Sequence, residues 1–587
     1  MNRSAQATKR DRRDEPRAAR PRPRTWPAQV GLLAASVLLL SLAFAPLNQF
    51  YLAWVGLAPW MLAVSMARSK KAAFAWGFAG GWAFFLANMW WLWFVTIPGM
   101  FVLTLYLAVF WAVAAIVVRG LLVPALPERD GTRGALFGVL LIATTWTAFE
   151  WLRGNVSFLG NQGLPWLYLG QTQSPLLLMC QVADVTSVLG VTFWVAMVNA
   201  LLVVLYLNRA QLHRRAMPAI AAVGVLLVAI GVYGAYRIFQ DTQYPGPTVL
   251  VVQSNYKQSN SGEKGAPMRE IVDFHVGTTR AALQQLASRG QHVDLVVWSE
   301  TMMPPLNDSA LEQARGSPQG EVWQRARDEI SRVATEFHSA LLVGGIMHDD
   351  WQVRGDYILP QDRRNSAYFF TPDGRLSDAR YDKIHLVPFG EYIPFKESIP
   401  PLYRLFIKLG PNYYEEYALT RGGKLTVFAL KRDDAAQQPY RFVAPICFED
   451  IVPSMVARMM HEPGSGPAKR ADFLVNITND GWFRAGQMPQ HLQAAVFRSI
   501  EHRVATARSV NTGVSGFVDP VGRVSATVPA ETEGWSARKL VLDRRVTPYT
   551  RVGDAFPITC VAATAVVCVA GIVRDRRNRS VRSETES

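Results

Sequence analysis

The chain's apolar residues crowd into residues 27–238 and again into 556–573, and this crowding limits the fold more than any other feature. Crossing ~30 Å of hydrocarbon takes roughly 17–25 apolar residues in a helix. Seven runs in the first block reach that length, at about 27–46, 50–67, 72–96, 98–118, 134–152, 185–207 and 217–236, and the second block makes an eighth. We read a polytopic α-helical membrane protein with eight transmembrane helices. Between the blocks, residues 247–545 have the mixed composition of one large soluble domain. Half of all residues are hydrophobic and only 18% are charged, which excludes a disordered chain, a collagen and a coiled-coil rod.

Lys and Arg in short loops mark the cytoplasmic side. The tail at 1–26 carries nine, the loops after spans two, four and six carry three each, and the tail at 574–587 carries five. The short loops on the other side hold only Arg153. Both tails are thus expected in the cytoplasm, and the soluble domain, following seven spans of the region 27–238, outside. The net charge of +15 equals the surplus of these cytoplasmic segments, so it reports topology and gives no reason to expect nucleic acid as a partner. Ala43-Phe44-Ala45 imitates a signal-peptidase site, but the apolar run before it is too long and Pro46 follows, so the first span is read as uncleaved. Residues 153–184 contain no run long enough to cross and read as an interfacial or re-entrant segment on the outer face.

From residue 247 short β-branched runs alternate with amphipathic stretches. Strands are predicted at 248–253, 294–298, 340–344, 366–370, 441–446, 472–477 and 513–518, with helices at 268–288, 321–337 and 490–508. That alternation predicts an α/β sheet domain, and Asp373-Gly374 predicts a hairpin that makes the sheet mixed. Four cysteines cannot build a disulfide framework. Cys180, Cys560 and Cys568 sit in apolar surroundings where a thiol acts as a small hydrophobe, which leaves Cys447 in the soluble part. The nine histidines and the cysteines lack zinc spacing, so no metal and no cofactor is expected.

Three residues fall at predicted strand ends, where this architecture puts chemistry: Glu300, Lys383 and Cys447. A cysteine nucleophile needs a base for its proton and a group to stabilise the oxyanion formed on attack at a carbonyl. A carboxylate beside a lysine supplies both, and Glu449 is placed to orient the lysine or the substrate. Each also has an ordinary reading: a solvated strand end, a surface lysine, a buried inert thiol. Spacing alone does not bring the three together.

Trp298-Ser-Glu300, Lys383-Ile-His-Leu-Val-Pro-Phe-Gly-Glu391 and Ile446-Cys-Phe-Glu449 resemble, in order, the three signatures of the nitrilase, or carbon–nitrogen hydrolase, superfamily. A longer set is narrower: His385-Leu-Val-Pro-Phe-Gly-Glu-Tyr-Ile-Pro394, Asn479-Asp-Gly-Trp-Phe483, Gln490-His491, Arg508-Ser-Val-Asn-Thr-Gly513, and Glu150-Trp-Leu-Arg-Gly154 before Pro165-Trp166. These resemble the apolipoprotein N-acyltransferase family. Three positions depart from its usual pattern: Ser299, Phe448, and Gln171-Thr-Gln173 in the outer loop.

The resemblance implies an α-β-β-α sandwich on the periplasmic side of the bacterial inner membrane, between the seventh and eighth spans. It implies Glu300 as proton acceptor, Lys383 as oxyanion stabiliser and Cys447 as nucleophile, with Glu391, Glu449 and Phe448 in support. Glu150, Arg153, Trp166 and Trp482 are expected at the substrate. The implied reaction moves an acyl chain from a phospholipid, through a thioester, to the α-amine of a diacylglyceryl-modified apolipoprotein. A membrane-tethered amidase using the same triad with water is the second reading, though one span would anchor it. A transporter is the third, and among charged residues within spans only Glu150 approaches a transport path.

Overall fold

Away from water a backbone must satisfy its own polar groups, and helices do so. In the computed structural model, six helices among the described residues are long and apolar enough to cross a membrane: Trp26–Ala43, Ile97–Leu122, Ala135–Asn155, Val188–Leu207, Met217–Phe239 and Ala555–Arg574. The structure describes residues 26–586 except 123–130, 157–162, 210–216, 259–264, 355–356, 389, 394, 397, 410–417, 433–436, 462–467 and 484–485. The basic tail expected over 1–26 lies, Trp26 apart, outside the described residues.

Two expected spans take other forms. The run at 50–67 is a broken helix, with Ala53–Gly56 and Ala58–Ser65 parted at Leu57. Buried Asn199 serves the break: its Oδ1 accepts from the Leu57 and Ala58 amides at 2.9 Å each, and its Nδ2 donates to the Ala53 carbonyl at 2.8 Å. The run at 72–96 is a helix over Lys70–Asn88 and then a 3-10 turn over Trp90–Phe94. Its glycines dilute its hydropathy, but they let it lie against Ile97–Leu122. A Cβ on Gly77 would stand 2.5 Å from that of Ala115, and one on Gly81 would stand 2.7 Å from that of Trp111. The last helix continues past 573 to Glu586.

Among the described residues the soluble domain has twelve strands: β1 (Gln243–Gln253), β2 (Leu295–Trp298), β3 (Ala340–Arg354), β4 (Tyr357–Phe370), β5 (Leu376–Asp382), β6 (Phe428–Leu430), β7 (Tyr440–Val443), β8 (Phe473–Thr478), β9 (Ala505–Val510), β10 (Ser515–Val518), β11 (Val524–Val528) and β12 (Gly534–Asp543). They form two six-stranded sheets, ordered β12-β1-β2-β3-β4-β5 and β11-β10-β9-β8-β7-β6. Both are mixed: in the first β2 is parallel to β1 and β3, whereas β3, β4 and β5 run antiparallel, with the expected hairpin at Gly374 joining β4 to β5, and in the second β8 is parallel to β7 and β9 whereas β6 is antiparallel to β7.

Alternation along the strands divides the core. Val249 and Val251 of β1 belong to the core between the sheets, where Phe369 of the first meets Phe428 and Phe442 of the second with centroids 5.6 and 5.8 Å apart. Leu250 and Val252 face the other way, toward Ile271 and Ile330 of the helices Met268–Ala287 and Pro318–Phe337. The helices Pro453–Met460 and Gln487–His502 accompany the second sheet, completing an α-β-β-α sandwich.

The helix expected over 490–508 requires correction. It ends at His502, where Arg503 turns left-handed at φ 50°. Residues 505–510 instead form β9, buried at every position between β8 and β10. Tertiary pairing overrides a helical pattern here. Strands β5, β6, β11 and β12 were not legible either, being short or half polar.

Helix Gln487–His502 also carries the domain onto the membrane region. Gln490 Oε1 accepts from the indoles of Trp91 at 3.2 Å and Trp166 at 2.9 Å, and its Nε2 donates to the Asn88 carbonyl at 3.0 Å. Glu501 accepts from the Val188 amide at 2.8 Å, and Arg503 pairs with Asp184 at 2.8 Å with both side chains buried. Described residues 163–186 meet this junction as short helical turns, among them Leu169–Gln173 and Ala183–Thr186.

Candidate active site

The three residues at strand ends meet. Glu300 lies two positions beyond β2, Lys383 one beyond β5, and Cys447 opens a 3-10 turn, Cys447–Ile451, four beyond β7. Lys383 Nζ donates to Glu300 Oε1 at 3.1 Å and to Glu391 Oε1 at 2.8 Å. Cys447 is 8% exposed, Glu300 4% and Lys383 1%, so the group is almost withdrawn from water. Cys447 holds φ at 52°, a left-handed conformation that a residue with a Cβ adopts at a cost and that marks functional turns. At Gly344 of β3 a Cβ would lie 2.4 Å from the Ser299 carbonyl and 2.6 Å from the Glu300 Cα, so only glycine lets the strand pass the glutamate so closely.

The carboxylates are held from several sides. Asn365 of β4 donates to Glu300 at 2.6 Å and to Glu391 at 3.1 Å, and the Asn479 amide donates to the second oxygen of Glu300 at 2.8 Å. Glu391 also accepts from the Val387 amide at 2.9 Å. Glu449 accepts from the Tyr381 hydroxyl and from the amides of Ile384, His385 and Ile446, all at 2.8–2.9 Å. It thereby fastens the loop after Lys383 to the turn that starts at Cys447.

Burial shapes the charges. It raises the pKa of Glu300, an effect opposed by Lys383 and reinforced by Glu391. It opposes the charge of Lys383 too, yet Glu300, Glu391 and Cys447 together hold that ammonium well above its ordinary range. The thiol of Cys447 is pushed well up by burial and by Glu300, while Lys383 pulls it down. Burial also lifts Glu449, to about 7, against its four donors. The set therefore rests as a protonated thiol and a fixed cation with the Glu300 carboxyl between several donors, which are the parts a nucleophilic attack on a carbonyl needs.

The residues expected at the substrate divide. Trp166 is buried and stacks on Phe448, with centroids 6.2 Å apart and planes 6° apart. Phe448 is stacked in turn on His385 at 5.5 Å. Trp482 is half-buried in the turn after Asn479. Glu150 and Arg153 are both buried and have protein partners. Glu150 accepts from the Leu169 amide at 2.9 Å and the Thr192 hydroxyl at 2.8 Å. Arg153 donates to the carbonyls of Leu164, Trp166 and Leu167 at 2.9, 2.5 and 3.3 Å.

Sequence reasoning missed Asn365, although a signal was present: it shares the inward face of β4 with Ala367 and Phe369, a polar residue in an apolar alternation. It also gave no role to Asp450, Asp480, His491 and Arg508, whose side chains form one buried network beside Cys447.

The two-sheet domain is of the carbon-nitrogen hydrolase class, and residues 252–547 match that family. Residues 36–201 match the apolipoprotein N-acyltransferase N-terminal domain. Three relatives named apolipoprotein N-acyltransferase align over most of their length. The protein from Bradyrhizobium diazoefficiens is 31% identical over 79% of this chain and 76% of its own. Those from Chlorobaculum tepidum and Geobacter metallireducens are 28% and 29% identical over 92% and 91% of this chain and 96% and 93% of theirs. The chain belongs to the apolipoprotein N-acyltransferase family.

Proposed function

We propose that this protein, a lipoprotein N-acyltransferase by family, takes its acyl chain from a membrane phospholipid and carries it as a thioester on Cys447. It then delivers the chain to the α-amine of the S-diacylglyceryl-cysteine that begins an apolipoprotein. In the first half-reaction Glu300 accepts the thiol proton and the thiolate attacks the phospholipid ester. Lys383 and the Phe448 N–H stabilise the oxyanion. Collapse expels the lysophospholipid alkoxide, which takes the proton back from Glu300. In the second, Glu300 accepts a proton from the attacking amine, and the Cys447 thiolate leaves as the amide forms and takes that proton back from Glu300. Asn365, Glu391 and Glu449 keep base, cation and nucleophile in register.

The observation that carries this reading is the junction of the two regions at the nucleophile. Phe448, next to Cys447, is stacked on Trp166 of a loop between membrane helices, which supports a donor drawn from the membrane. We read eight spans with both termini cytoplasmic and the sandwich on the periplasmic side of the inner membrane. Support comes from the short-loop charge bias and from the helical runs at Phe50–Ser65 and Lys70–Asn88, which fill the second and third positions. Incubation of the purified protein with a phospholipid, followed by digestion and mass spectrometry, tests the reading. A hydroxylamine-sensitive acyl adduct on Cys447 and an added acyl mass on a lipoprotein N-terminus are expected. Normal lipoprotein acylation by Cys447→Ala would overturn it.

A further inference from the structure

Beneath the turn that opens at Cys447 lies a charge cluster with no part in the reaction above. The imidazole of His491, on helix Gln487–His502, stands between two carboxylates. Its Nε2 is 2.8 Å from Asp450, three residues past the nucleophile, and its Nδ1 is 3.0 Å from Asp480, next to the Asn479 whose amide holds Glu300. The Gln487 side-chain amide lies 3.1 Å from Nδ1 with its oxygen unpartnered, and turning that amide over gives Nδ1 a second acceptor. An imidazole with a carboxylate at each nitrogen donates from both and is cationic. Arg508 of β9 pairs with Asp450, and its Nη2 lies 3.8 Å from Asp480. All four side chains are at most 4% exposed, so the charges meet almost no solvent screening. Two carboxylates are balanced by two cations, and His491 is one of them.

We propose that His491 is a positioning residue for the Cys447 step: its buried positive charge offsets Asp450 and Asp480 beneath the nucleophile's turn, so that a thiolate can form there. The inference rests on Cys447 as nucleophile. Burial alone would discharge His491, and Asp450 and Asp480 outweigh it. Asp480 also acts directly on the thiol, raising its pKa together with Glu300 and Glu391, while Lys383 alone among the leading partners lowers it. Arg498, on His491's own helix, contributes at Asp450. Without the His491 charge, one carboxylate under the turn is left unbalanced, and its field opposes the thiolate.

The test is the pH dependence of Cys447 alkylation by iodoacetamide in the full-length detergent-solubilised protein, mapped by peptide mass spectrometry. A displacement of about one pH unit corresponds to about tenfold in rate below the thiol pKa. For His491→Gln we expect Cys447 to alkylate about tenfold more slowly near neutral pH, with the profile displaced to higher pH. For His491→Gln combined with Asp480→Asn, which removes one charge of each sign, we expect recovery to within about threefold of wild type. A structural role alone would leave the double variant no better than the single one. Wild-type alkylation in His491→Gln, or a double variant as slow as the single, overturns the proposal. If His491→Gln does not fold, Asp480→Asn alone decides: alkylation displaced to lower pH supports the proposal, and an unchanged or opposite displacement overturns it. The failure of Cys447 as nucleophile is read separately, from lipoprotein acylation by Cys447→Ala.

Discussion

Trp166 and Phe448 lie face to face, 6.2 Å between centroids and 6° between planes, although one belongs to a loop between membrane helices and the other follows the cysteine of the soluble domain. Trp166 also rests against His491, at 5.6 Å, and donates to Gln490 at 2.9 Å. Trp166→Phe keeps the ring stack and loses one hydrogen bond, a change of ~1 kcal/mol. Trp166→Ala removes the stack and leaves a cavity costing ~3–5 kcal/mol. Acyl-enzyme formation and the thermal midpoint, measured together, should fall slightly in the first variant and severely in the second.

The triad should be needed before any thioester appears. Cys447→Ala and Cys447→Ser should leave no acyl adduct, because a serine hydroxyl is far harder for Glu300 to deprotonate. Lys383→Ala should slow acylation by ~10²–10³ or more, the usual loss for an oxyanion donor. Because the Lys383 charge pulls the thiol pKa down against burial, Lys383→Met should also displace Cys447 alkylation to still higher pH. Cys180→Ala, Cys560→Ala and Cys568→Ala should stay active, since burial pushes the Cys180 thiol up and keeps it protonated, and Cys560 and Cys568 lie on the apolar helix Ala555–Arg574.

Asn365 bonds both Glu300 and Glu391. Hydrogen bonds to charged groups are worth ~1.5–3 kcal/mol, so Asn365→Leu should slow acyl-enzyme formation by roughly 10–150-fold. A single-turnover assay with saturating phospholipid separates this from weaker lipid binding. An unchanged rate would mean that the Asn479 amide alone suffices to hold the base.

Arg153, expected from sequence at the substrate, donates to three backbone carbonyls, and these contacts set the outcome of its removal. Arg153→Ala leaves those buried carbonyls without a donor, at ~1–3 kcal/mol for each group. It should lower thermal stability and reduce activity by the same factor across donors of different headgroup. A headgroup-dependent loss at unchanged stability would return Arg153 to the substrate.

Topology is testable with phosphatase fusions. A reporter joined after Gln253 should be active and one joined after Arg215 inactive, because the first is read outside the membrane and the second among the cytoplasmic basic residues. The opposite pattern would invert the orientation.

The sequence by itself determined the helical membrane class and the helices Met268–Ala287 and Pro318–Phe337. It also placed Glu300, Lys383 and Cys447 at strand ends, because hydrophobic runs, helical periodicity and turn residues are local signals. It did not determine the end of the helix at His502 or strand β9, since a segment of Ala, Thr, Arg, Ser and Val takes its conformation from the neighbours it pairs with. Tertiary structure alone decided that Asn365 joins the two glutamates, that Arg153 clamps a loop, and that His491 sits between Asp450 and Asp480. Those relations join residues from 11 to 65 positions apart, and they hold because burial forces each polar group to find a partner wherever the fold supplies one.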